Sequence, residues 1–140
     1  MPYPLILVPL IAMLSAQIIK LAFDGVKGNL DVKHVLNEYG GMPSSHAALV
    51  VALTTGLGLQ LGLRSPIFAC AFIFSLVMLR DAFGFRRFVG ENARVLRQVA
   101  EELPSGQRPR HLNLVERTGH KFSEIAAGCL WGFLLAYWLI

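Results

Sequence analysis

Four runs of this 140-residue chain approach the length of about 20 apolar residues that a helix needs to cross the hydrocarbon core of a bilayer. They cover about residues 4–23, 45–63, 66–85 and 122–140. The first carries Lys20 as its only formal charge, the second opens with His46 and is otherwise uncharged, the third is uncharged until Arg80 and Asp81, and the fourth has Glu124 near its start. The expectation is an all-α integral membrane bundle, a single domain over residues 1–140 with about four transmembrane helices. Composition agrees, at 54% hydrophobic and 16% charged residues with a mean hydropathy of +0.53. Little more than Gly62 to Pro66 separates the second and third runs, which predicts an antiparallel hairpin. The first run lacks the basic start and small-residue cleavage site of a secretory signal, so it reads as a retained span. Cys70 and Cys129 both fall inside apolar runs and read as small buried hydrophobes, not as a disulfide or metal pair.

Four antiparallel spans put the end of the first, the start of the second, the end of the third and the start of the fourth on one side. Of the 13 Lys and Arg residues, all but Arg64 then fall on that side, with all nine acidic residues and all four histidines. The positive-inside rule makes it cytoplasmic and places both termini on the opposite side. A soluble basic surface accounts for Lys27, Lys33 and Arg110. It does not account for Lys20, His46, Asp81, His120 and Glu124, which stand at span edges where ionisable groups are costly and mark sites. Between the third and fourth spans, about residues 86–103 form an amphipathic helix, with Phe88, Val89, Val95, Leu96, Val99 and Leu103 at helical spacing, lying on the headgroup layer or against the bundle. Gly58 and Gly62, and Gly128 and Gly132, are each four apart and predict close helix contacts, within one chain or between copies of a homo-oligomer.

The run from Gly40 to His46, Gly-Gly-Met-Pro-Ser-Ser-His, sits where a loop enters a span. Its glycines let backbone approach a ligand, Pro43 suits a first helical turn, and Ser44 and Ser45 offer capping hydroxyls, together an anion cradle at a helix start. His46 can protonate a leaving oxygen or activate water; a well-capped helix start with a histidine facing the headgroups is the plainer reading. His120 and Glu124 are four apart, so one helical turn would pair a carboxylate with an imidazole, as a histidine nucleophile or base requires, or simply make a helix-edge pair. Arg86 and Arg87, beside Gly84, suit a phosphate clamp or an ordinary membrane-flanking basic pair. Asp81 can balance those arginines or hold a divalent metal with Glu124.

These residues carry a resemblance. Gly-Gly-Met-Pro-Ser-Ser-His, Asp81 to Arg87 (Asp-Ala-Phe-Gly-Phe-Arg-Arg) and Ala16 to Lys20 (Ala-Gln-Ile-Ile-Lys) look like the divergent, bacterial and plastid branch named acid phosphatase/vanadium-dependent haloperoxidase-related, within the type 2 phosphatidic acid phosphatase superfamily. The resemblance implies a helical phosphoric ester hydrolase that forms a phosphohistidine with no metal or redox cofactor. Pro43 to His46 is similar to the superfamily's Pro-Ser-Gly-His and implies His46 as general acid. His120 and Glu124 are similar to its His-x-x-x-Asp and imply His120 as nucleophile and Glu124 as its orienter. The first superfamily motif, a lysine followed by Arg-Pro, is answered by Lys20 and by Lys27-Gly28, and the expected Ser-Arg before the last histidine stands as Asn113-Leu114. Arg86, Arg87 or Arg117 would then hold the phosphate, and a Mg2+-assisted version with Asp81 is left open.

The function expected is hydrolysis of a membrane lipid or isoprenoid phosphate at the cytoplasmic face, the tail staying in the bilayer while the headgroup meets Lys20, Ser44, Ser45 and the arginines. No nucleic-acid partner is expected. The alternative is a non-catalytic protein that binds or moves an anionic lipid with the same cradle.

Overall fold

The structure, a computed structural model, describes residues 3–24, 41–104 and 121–140. Every regular element among them is helical: α1 (Tyr3–Asp24), α2 (Ser45–Leu61), α3 (Pro66–Phe83), α4 (Phe85–Glu102) and α5 (Phe122–Leu139). A helix is the element that satisfies every backbone N–H and C=O within its own segment, which hydrocarbon requires. The α1, α3 and α5 segments are long and apolar enough to span a membrane, and α2, at 17 residues, lies at the short end of spanning lengths.

Side-chain pairings fix the helix directions. Gly56, near the end of α2, lies against Leu5 at the start of α1 and Ile140 just past the end of α5. Ser44, before α2, bonds to Glu124 at the start of α5. Thr54 of α2 meets Ser75 of α3, and Ala47 packs with Ala82. Thus α1 and α3 run antiparallel to α2, α5 runs parallel to it, and α2 is the central helix, with its most extensive contact on α5. The end of α1, the start of α2, the end of α3 and the start of α5 therefore meet at one end of the bundle, called here the common end.

The core is made of small residues. Ala12, Ala16, Ala48, Ala52 and Ala136 are fully buried, while Ile6, Leu14, Ile18, Phe74, Val77 and Trp138 face outward. In lipid, large apolar side chains gain nothing by hiding from the solvent, whereas small ones let backbones approach and pack. Gly128 and Gly132 show this most sharply, since a Cβ at either would fall on a carbonyl oxygen of α2's entry, Ser44 O or Ala48 O. The predicted close contact at this pair is thus within one chain. Gly58 and Gly62 behave otherwise: Gly58 meets the Phe68 and Leu63 side chains, and Gly62, at φ +81°, closes α2 by donating to Gly58 O at 3.1 Å, with open space around it. Cys70 is also not buried as expected, because α3 packs on one side only and Cys70 stands on its outward face.

Hydroxyls and one indole tie the helices at mid-length. Thr54 Oγ1 and Ser75 Oγ lie 2.7 Å apart; one donates to the other, which spends its own hydrogen on a carbonyl of Val50 or Ala71, each 2.8 Å from one of the pair. Trp131 Nε1 donates to Ser15 Oγ at 2.9 Å, joining α5 to α1. The amphipathic α4 follows α3 across Gly84 and makes its substantial contact with α3, leaving Phe88, Val95, Leu96 and Val99 more than half exposed.

Candidate functional site

The common end is organised around the entry to α2. Ser44 is its N-cap: buried, extended at φ −70° and ψ 114°, with Oγ accepting from Ala47 N at 3.4 Å. The carbonyl of Ser44 accepts from Ala48 N, and its N–H donates across to Glu124 O at 3.0 Å. That cross-bond fastens the start of α2 to the start of α5. Gly41, at φ +105°, adopts a left-handed turn that favours glycine, and Pro43 follows it in a cis Met42–Pro43 bond. Pro43 therefore precedes the cap and does not stand in the first turn, because the Ser44 side chain occupies the capping position and Ser45 becomes the first helical residue. The amides of Ser45 and His46, in the first turn, point toward the common end, the arrangement that favours an anion.

A small apolar cluster supports the ionisable residues. Ala47, Ala82 and Ile125 pack together, with Leu79 and Cys129 against them. Each of the three is the chain neighbour of a half-buried ionisable residue, His46, Asp81 and Glu124 respectively. Packing three helix ends on one another thus brings three residues, far apart in sequence, to one end of the bundle. Lys20, half-buried, lies one turn beyond Ala16, which packs with Ala48; since α1 runs antiparallel to α2, this sets Lys20 at the level of Ser44. Arg86 and Arg87 stand in the first turn of α4, just past Gly84. Arg117 and His120 lie outside the described residues.

The start of α5 is closed by its own first turn. Its N-cap is Lys121, extended at φ −70° and ψ 153°, whose carbonyl accepts from Glu124 N at 3.0 Å and Ile125 N at 3.2 Å. The Glu124 Oε2 in turn accepts from Lys121 N at 3.0 Å. The carboxylate thus reaches back to close the helix start, holding the residue that follows His120; the expected His120–Glu124 pair falls partly outside the described residues. Replacing Glu124 by alanine removes this acceptor and lowers stability by about 1 kcal/mol, whereas Glu124→Gln, which keeps an acceptor oxygen, costs less; thermal unfolding in detergent separates the two.

Beside Asp81 an open cleft of about 540 Å³ lies at the α3–α4 junction, lined by Val77, Arg80, Asp81, Gly84 and Phe88. Arg80, adjacent to Asp81 in the chain, lines this cleft, whereas the arginines expected to clamp a phosphate or to form a plain membrane-flanking pair are Arg86 and Arg87. Among the described residues no three His, Cys, Asp or Glu side chains gather as a metal site.

A model of the Divergent PAP2 family matches residues 2–135. An uncharacterized membrane protein of Bacillus subtilis (strain 168), YuiD, is 35% identical over 137 residues, covering 90% of this chain and 87% of that protein. No solved structure matches the chain.

Proposed function

This chain belongs to the Divergent PAP2 family, and on that footing we propose that it is a membrane phosphatase acting on a lipid or isoprenoid phosphate through a histidine nucleophile. The observation that carries the reading is the junction at the common end, where the Ser44–Glu124 backbone bond and the Ala47–Ala82–Ile125 cluster gather the helix ends that bear His46, Asp81 and Glu124. An ionisable cluster at a span end, beside a capped helix start, fits a substrate that is polar at one end and apolar at the other.

In the proposed reaction a ring nitrogen of His120 attacks phosphorus in line, forming a P–N bond as the P–O bond to the lipid alcohol breaks. His46 supplies the proton to the departing oxygen. Lys20, the amides of Ser45 and His46, and Arg86, Arg87 or Arg117 neutralise the non-bridging oxygens. Water then attacks the phosphohistidine, releasing phosphate and restoring the imidazole. Glu124 fixes the chain beside His120, and Asp81 balances Arg80, which lines the same cleft. The 12 basic residues that the four-span reading puts on the side of the common end turn that face toward the cytoplasm.

A phosphoenzyme trap tests this directly. Brief exposure of the detergent-purified protein to a phosphate-labelled lipid substrate and acid-free denaturation yields a base-stable, acid-labile label on the peptide carrying His120, and Glu124→Ala lowers its amount. Absence of label in protein that still binds phosphate-bearing lipid supports a second reading, a non-catalytic anionic-lipid binder, which Asn113-Leu114 in place of Ser-Arg favours.

A further inference from the structure

A furrow of about 480 Å³ runs between α2 and α3, walled by Val51, Thr55, Phe68, Phe72, Leu76 and Leu79. From Phe68 to Leu79 it follows α3 for about 16 Å, roughly half the thickness of a hydrocarbon core. Its floor is the Thr54–Ser75 pair, whose hydroxyls are satisfied by each other and by the Val50 and Ala71 carbonyls, so it asks nothing polar of an occupant. Phe72 and Leu76 are nearly half exposed on its rim, so it opens sideways, toward the lipid.

The upper end decides what the furrow holds. Leu79 both lines it and packs on the Ala47–Ala82–Ile125 cluster, two residues before Asp81. An amphiphile whose phosphate lies at the common end therefore meets the furrow where its tail begins. Because α2 and α3 touch at Thr54 and Ser75, the furrow is a single channel, and its volume is that of one small ligand. We infer that the α2–α3 furrow binds the single hydrocarbon chain of an amphiphilic phosphate that enters laterally from the bilayer. The substrate class is then the one-chain phosphates, alkyl or isoprenyl; a two-chain lipid leaves its second chain unaccommodated. The inference rests on the phosphatase reading for the position of the phosphate.

The test uses a non-hydrolysable alkyl phosphonate with a photoreactive diazirine in its tail and the full-length protein in lipid nanodiscs. The expected result is labelling confined to residues 51–63 and 68–79 and to Phe133, all of which border the furrow, displaced by excess unlabelled alkyl phosphonate and not by added phosphatidylcholine. Leu76→Trp, which fills the furrow from its exposed rim, cuts the labelling by about tenfold with an unchanged gel-filtration profile. Labelling spread over the outward faces of α1 and of α5 beyond Phe133, or equal displacement by phosphatidylcholine, overturns the inference, and the wild-type map decides this whether or not the variant folds. Labelling needs no turnover, so a protein that is labelled in the furrow but releases no phosphate keeps the chain site and loses the catalytic reading, whereas turnover with scattered labelling does the reverse.

Discussion

Gly132→Val unfolds the bundle or leaves it too unstable to purify as a single species. The added side chain would occupy the position of the Ala48 carbonyl oxygen, and what stands there is backbone, which cannot swing aside as the end of a flexible side chain can. Relief requires α5 to move away from α2, which breaks the most extensive contact in the molecule and the Ser44–Glu124 bond at its upper end. Overpacking ordinarily costs about 1–3 kcal/mol, and a forced separation of two backbones lies at or above the top of that range. Gly128→Val acts in the same way against Ser44 O. Gly58→Ala is the informative contrast: the nearest atoms are on the Phe68 and Leu63 side chains, which can shift by a few tenths of an ångström, so the loss is small. Thermal unfolding in detergent, followed by the fraction eluting as one species, ranks the three.

His46→Ala is expected to lower turnover by about 10²–10⁴-fold while leaving the bundle folded. The residue is half-buried in the first turn of α2, and Ala47, its neighbour, carries the packing. The size of the effect depends on the leaving group. A general acid matters most when a poorly stabilised alkoxide must depart, as from a lipid alcohol, and little when the leaving group is already a good one. The variant therefore loses far less activity on an aryl phosphate than on an alkyl phosphate. A uniform loss on both substrates would instead place His46 in binding the phosphate.

How much of this was legible in the sequence follows from what each residue obeys. The helical bundle was, because lipid permits few backbone solutions and runs such as 122–140 carry their own length signal. The amphipathic character of residues 86–103 was equally plain from its spacing. The helix starts were less so: Pro43 stands just before the Ser44 cap, where its residue type suits a first helical turn. Which residue caps depends on bonds such as Glu124 Oε2 to Lys121 N, and several polar residues at each entry competed for that place. The small-residue contacts were visible as spacings, yet Gly128 and Gly132 meet a backbone while Gly62 merely ends a helix, a distinction made by the neighbouring helix. Least legible were Thr54, Ser75, Ser15 and Trp131, uncharged groups whose partners lie on other helices. At the site, the sequence singled out the ionisable residues at span edges, and the fold brings Lys20, His46, Asp81 and Glu124 to one end.

The most direct measurement is phosphate release by the detergent-purified protein from alkyl, isoprenyl and two-chain lipid phosphates, comparing wild type with His120→Ala, each with and without a chelator. The account predicts release that favours the one-chain substrates, vanishes in His120→Ala and survives chelation. Loss on chelation moves the chemistry to a metal at Asp81 and Glu124, and release no greater than that of His120→Ala on every substrate contradicts the phosphatase reading.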